Sequence, residues 1–164
     1  MVITVYATVI DNYGGKLLKK IHAMKVVDFH THILPTDIVH NRDLFINDAQ
    51  LHCIYHEERA RLATLEDLLG YMDNEEVYGA VAMGFTWQIP RYAELHNRYL
   101  AAAQNTTEKK IWAFGSIALE PGTIQGQVED IYEQGLSGIG EISFYREGMK
   151  GKNPEILDTV LSEA

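Results

Sequence analysis

Two histidines one residue apart, His30 and His32, close the apolar run VVDFHTHILP (residues 26–35), and Asp28 stands two residues before the first of them. Imidazole is a common ligand of zinc and related ions, so a pair on one side of a strand supplies half of a chelate. In an extended strand residues i and i+2 share a face, and Asp28, His30 and His32 line one side if the strand runs that far. The H-x-H spacing also fits a histidine capping a strand and a second one solvated in a loop. Spacing leaves both readings open.

The elements around the pair follow a β/α rhythm. KVVDF is a compact β-branched run, and TLEDLLGYMDN places Leu65, Leu68, Leu69 and Met72 on one helical face with Thr64 as N-cap. VYGAVAMGF reads as a second buried strand, followed by the helix IPRYAELHNRYLAAAQN with Pro90 in its first turn. KIWAFGSIAL is a third strand, closed by the turn Pro121-Gly122. TIQGQVEDIYEQG carries Ile124, Val128 and Ile131 on one face, SGIGEISFY is a fourth strand, and NPEILDTVLSEA is a last helix with the stripe Ile156, Leu157, Val160 and Leu161. Repeated strand–helix units predict a parallel sheet with right-handed crossovers, and the unbroken apolar strands predict cover on both faces. His30 and His32 then sit at the C-terminal end of the first strand, where β/α barrels collect their active sites. Residues 33–63 break the rhythm, and a loop of about thirty residues reads as a functional lid or a disordered segment.

Composition bounds the partners. The chain of 164 residues is 46% hydrophobic, enough for one domain with a core. Its 14 Lys+Arg against 23 Asp+Glu give a formal charge of −9, which disfavours nucleic acid and points to a small-molecule substrate. The single cysteine, Cys53, excludes an internal disulfide and fits a reducing compartment. MVITVYATVI at the start is too short to span a bilayer and no apolar stretch elsewhere approaches membrane length, so the expectation is a cytoplasmic protein without membrane contact. Residues 1–23 read as an N-terminal extension: either they form an extra strand and helix or translation begins at Met24, the second being preferred.

VVDFHTHILP, followed in order by RLATLEDLLGYMDNEEVYGAVAMGF, ELHNRYL and GIGEI, resembles the amidohydrolase superfamily, specifically its amidohydrolase-related branch of metal-dependent hydrolases and decarboxylases. The resemblance covers residues 24–164. It implies a TIM-type (β/α)8 barrel in which His30 and His32 bind a divalent ion, Zn2+ or another such as Mn2+. It also places a metal-ligating or bridging group on the fourth strand, where this chain has Glu141. Ile139, Glu141 and Ser143 should share a face there; Glu141 either binds metal, orients a ligand, or pairs with Arg146 inside the barrel. Asp28 is expected to be buried and hydrogen-bonded behind the ligands. Trp87, after the second strand, and Ser143, Tyr145 and Arg146, after the fourth, are candidates for contacting substrate; core or rim packing suits Trp87 equally.

The chain departs from that pattern by stopping early. A barrel of this class needs about 250 residues, and this chain supplies about the first four units. The later histidines and the catalytic aspartate would lie beyond residue 164. The expectation is therefore the N-terminal half of a metal-dependent hydrolase, with a non-oxidative decarboxylase, a deoxyribonuclease of the same superfamily or a truncated non-catalytic half-barrel as alternatives. It would form a homo-oligomer or require a missing C-terminal half. His52 and His56, an i, i+4 pair in HCIYHEE, lack the glutamate of the H-E-x-x-H motif, and His96 reads as a hydrogen-bonded packing residue. No nucleophile elbow or phosphate loop is present, and the glycines of GLSGIGEI enter a strand instead of opening a helix.

Overall fold

Four parallel strands lie side by side in chain order: β1 (Val27–His32), β2 (Gly79–Met83), β3 (Lys110–Gly115) and β4 (Gly138–Ile139). This computed structural model describes residues 25–106, 108 and 110–163. The expectations for residues 1–23 and for Met24 fall outside the described residues. Among the described residues seven helices accompany the strands: α1 (Thr36–His40), α2 (Arg42–Phe45), α3 (Ala49–Tyr55), α4 (Leu65–Asn74), α5 (Pro90–Thr106), α6 (Ile124–Glu133) and α7 (Asn153–Glu163). None of them is long and apolar enough to cross a membrane.

Small residues on the sheet let the helices approach. Ala80 and Ala82 of β2 and Ile111 and Ala113 of β3 face Leu68 and Met72 of α4 and Leu100 and Ala103 of α5, all of them buried. Thr64 caps α4 as its sequence suggests, in a reciprocal box: Asp67 N–H donates to Thr64 Oγ1 at 3.3 Å, and Thr64 N–H donates to Asp67 Oδ2 at 2.8 Å. Pro90 opens α5. A further cluster joins Ile124, Val128 and Ile131 of α6 to Ile156 and Val160 of α7. Leu161, expected on that stripe, is 71% exposed and lies outside that cluster.

Among the described residues the sheet is open, with β1 and β4 at its edges, so the structure is an α/β fold with a parallel sheet of four strands. One expectation about the sheet changes: the fourth strand ends at Ile139, and only Gly138 and Ile139 pair with β3. Beyond it the backbone changes partners: Gly140 N–H donates to Gly115 O at 2.9 Å, and Glu141 N–H donates to Gly84 O at 2.8 Å. The chain thus crosses the end of β3 toward β2, which carries Glu141 over the sheet.

Residues 33–63 form α1, α2 and α3 with an apolar cluster of their own. Leu34, Ile38 and Leu51 pack with Phe85, Trp87 and Tyr92. Asp48, fully buried, ties the segment down: one carboxylate oxygen accepts from the backbone N–H groups of Gln50 and Leu51, capping α3, and the other accepts from Gln88 and Ile89. Arg42 donates to the carbonyls of Tyr55, Glu57 and Ala60. Helices of four to seven residues are too short to show a 3.6-residue period. Their stability comes from these tertiary bonds.

Candidate metal centre

His30, His32 and Glu141 converge at the C-terminal end of the sheet. The Nε2 atoms of the two histidines are 3.0 Å apart, and Glu141 Oε2 is 3.1 Å from His30 Nε2 and 3.4 Å from His32 Nε2. Among the described residues they are the one group of three or more His, Cys, Asp or Glu whose potential ligand atoms all come within 4.8 Å of one another. Metal–donor bonds of about 2.1 Å set donor–donor edges of roughly 3.4 Å in a tetrahedral site and roughly 3.0 Å in an octahedral one. The observed triangle falls within that range. Two imidazoles and a carboxylate therefore fit a divalent transition-metal ion in both chemistry and size, and the edges do not select one metal.

Each ligand candidate is oriented by the backbone. His32 Nδ1 lies 3.2 Å from Met83 O, so its N–H donates there and the Nε2 lone pair points toward the triad. Burial holds the His32 pKa below the ordinary imidazole value; Glu141 opposes the shift and the charge of His30 adds to it. His32 is accordingly neutral at pH 7, the form that ligates. His30 is the exposed member, its side chain 58% accessible.

Asp28 does not share the histidine face. The register runs Asp28 to Ala80 but Thr31 to Ala82, so three steps on β1 oppose two on β2. That extra residue is a β-bulge, and it reverses the alternation between Asp28 and His32. The Asp28 carboxylate is half-buried; Oδ1 accepts from the backbone N–H of His30 at 3.1 Å, and Oδ2 from the Tyr71 hydroxyl of α4 at 3.1 Å. It is hydrogen-bonded as expected, reaching the site through the His30 backbone, and is half-buried where a buried group was expected.

Glu141 reaches the triad because the chain leaves β4. Ile139, expected on its face, packs instead with Ile142 and Phe144 against the α6–α7 cluster. The acceptor of the Glu141 N–H, Gly84, must be glycine: a Cβ there would stand 1.7 Å from Ser116 Oγ. Glu141 Oε1 accepts from the Tyr145 hydroxyl at 2.8 Å. Burial pushes the Tyr145 phenol up to about 12; the Ser143 hydroxyl beside it opposes that shift and Glu141 reinforces it, so Tyr145 stays a donor. Tyr55, at the end of α3, is also raised, by burial and then by the charge of Glu141. Nothing in its sequence context marked it.

The other candidates are distributed differently. Trp87 is fully buried, its ring 4.5 Å from that of Phe85 and its indole N–H donating to His96 Nδ1 at 3.3 Å. Of the two roles left open for it the structure takes core packing and not substrate lining, because the helices of 33–63 cover it. The Ser143 hydroxyl lies 3.2 Å from Thr86 Oγ1, and the Thr86 hydroxyl also donates to the Ser143 carbonyl. Arg146 forms no ion pair with Glu141; it lines a separate groove of about 350 Å³ with Gln50, Gln88 and Lys152. His52 and His56 stack on each other at 4.9 Å, outside the triad, and His56 lines another groove with Arg42 and Glu58. His96 is the packing residue that its helix suggested, fully buried and hydrogen-bonded through both ring nitrogens.

No family model matches the chain, and no curated protein matches it. A solved structure with a similar chain course is a probable 2-pyrone-4,6-dicarboxylic acid hydrolase from Acinetobacter baumannii with citric acid bound. Its TM-score is 0.48 and its identity 16%, over 85% of this chain and 47% of that one. The chain thus spans about half the length of that structure. At this level the likeness assigns the chain no residue role.

Proposed function

We propose that this chain carries the metal-binding half of a hydrolase acting on a small-molecule carbonyl-type substrate, of the amidohydrolase-related kind that its sequence resembles. The observation that carries the reading is the triangle of His30 Nε2, His32 Nε2 and Glu141 Oε2, with edges of 3.0, 3.1 and 3.4 Å. These residues would hold zinc, or another divalent ion such as manganese. When bound, such an ion supplies Lewis acidity and lowers the pKa of water toward neutrality. The protein's own residues do the positioning: Met83 O selects the His32 tautomer, Tyr145 holds one oxygen of Glu141, and the exposed ring of His30 leaves the triad accessible from its side. Three protein donors with a further position open is the usual pattern of a catalytic zinc site.

The strand edges β1 and β4 are places where further strands would add. Those edges favour a second reading for the chain by itself, a non-catalytic half that self-associates. Val26 is 51% and Phe29 72% exposed at the β1 edge, which invites pairing between chains. The test is dialysis against zinc followed by elemental analysis, light scattering and assay with esters, amides and lactones. The expected result is saturable but weak uptake of one zinc per chain, self-associated species and no turnover. No saturable uptake would refute the metal reading. A clean monomer that turns over substrate would show the half to be a sufficient enzyme. In a longer form with all its strands, release of carbon dioxide would mark a decarboxylase in place of a hydrolase.

A further inference from the structure

We propose that Tyr145 is a positioning residue that fixes which oxygen of Glu141 faces the metal; the inference rests on the metal reading above. A carboxylate has two equivalent oxygens and a soft terminal torsion, so an unanchored glutamate can present either oxygen, or both. Here the two are distinguished. Oε1 accepts from the Tyr145 hydroxyl at 2.8 Å, while Oε2 lies 3.1 Å and 3.4 Å from the two imidazoles. The tyrosine comes from the segment after β4, four residues beyond Glu141, so its reach is set by the same chain crossing that brings Glu141 over the sheet.

Packing does not account for the tyrosine. Its side chain is 43% exposed, and it belongs to none of the apolar clusters formed by the described residues. Its hydroxyl carries the defined polar contacts, a bond donated to Glu141 and the Ser143 hydroxyl beside it. With Oε1 holding the tyrosine hydroxyl, Oε2 is the oxygen that would be offered to an ion between the two imidazoles. A hydrogen bond to the non-ligating oxygen of a metal carboxylate also steadies the ligand, an effect commonly worth ten- to a hundredfold in metal affinity.

Tyr145→Phe removes the hydroxyl and keeps the ring. The protein is titrated with Co2+, followed by visible absorption, and with Zn2+ by calorimetry; melting of the metal-free form is recorded alongside. We expect an unchanged metal-free melting temperature, affinity lower by about tenfold, and an altered Co2+ spectrum as Glu141 becomes free to donate through both oxygens. In a Glu141→Ala background the Tyr145→Phe change is expected to have no further effect on affinity, because the tyrosine acts through that carboxylate. Wild-type metal uptake matched in affinity and spectrum by Tyr145→Phe would overturn this inference alone, as would an equal loss in the Glu141→Ala background. Absence of saturable uptake by the wild type would overturn the metal reading with it.

Discussion

His32 and His96 are joined through a single residue, since His96 Nε2–H donates at 2.7 Å to the carbonyl of Ile33, yet the protein treats the two rings oppositely. Every polar atom of His96 is taken: Nδ1 accepts from the Trp87 indole at 3.3 Å and from the Ser116 hydroxyl at 3.1 Å, inside a fully buried pocket. His32 gives only Nδ1 to the backbone, and its Nε2 turns toward His30 and Glu141. A histidine whose nitrogens are both consumed by the protein is structural. One whose second nitrogen converges with those of other ligand types is available for chemistry. The difference lies in what remains unassigned after folding.

That contrast breaks most visibly at the metal. Replacing both His30 and His32 with Ala should remove saturable zinc or manganese uptake, while costing the metal-free fold about 1–2 kcal/mol, since His32 is half-buried and gives up its bond to Met83 O. Elemental analysis after dialysis, with a denaturant titration in parallel, reads both effects; unchanged metal content would end the role given to the pair. The reverse holds for His96→Leu. It strands the Trp87 indole N–H, the Ser116 hydroxyl and the Ile33 carbonyl, at a cost of about 3 kcal/mol in unfolding free energy, and should leave metal stoichiometry intact. Loss of metal with normal stability would show that the two histidines had been assigned the wrong way round.

Acid sharpens the same comparison. Burial lowers the His96 pKa from 6.5 to about 4; the Ile33 carbonyl opposes the shift and the charge of His32 adds to it. Between those values the unfolded chain binds a proton that the folded chain refuses, so stability falls as pH drops from 6.5 toward 4 and this contribution levels off below. The full loss is roughly 3 kcal/mol. Denaturant midpoints across that range should slope more steeply for the wild type than for His96→Leu, and parallel slopes would contradict the buried neutral ring. The smallest effect is expected for Glu141→Gln. The neutral amide keeps the shape but loses the charge, so metal affinity should drop by about tenfold with the fold unchanged, and wild-type affinity would leave Glu141 outside the coordination set.

The legibility of these features follows their range. The strand–helix alternation, the Thr64 cap, the start of α5 at Pro90 and the H-x-H pair depend on residues a few positions apart, and all could be read in the chain. The three helices of 33–63 could not, because Asp48 and Arg42 hold them from tertiary positions and the segments are too short for a period to show. Trp87 could be placed beside β2 but not assigned to core or pocket, since its cover comes from Leu34, Ile38 and Leu51 in that same segment.

By itself the sequence determined that a parallel α/β sheet forms and that two imidazoles stand at the end of its first strand, because alternation and periodicity act through neighbours. Tertiary structure decided which side chains meet. A one-residue bulge turned Asp28 away from the histidines, and a change of hydrogen-bond partners after Ile139 carried Glu141 toward them. Both are long-range events: the partners of β1 lie about fifty residues along the chain and Glu141 more than a hundred beyond His30. A side chain's own neighbours in sequence constrain its conformation, but they do not specify which distant backbone group will accept its hydrogen bond. For that reason the tyrosine on Glu141, the lone pair of His32 and the burial of Trp87 became visible only in the fold.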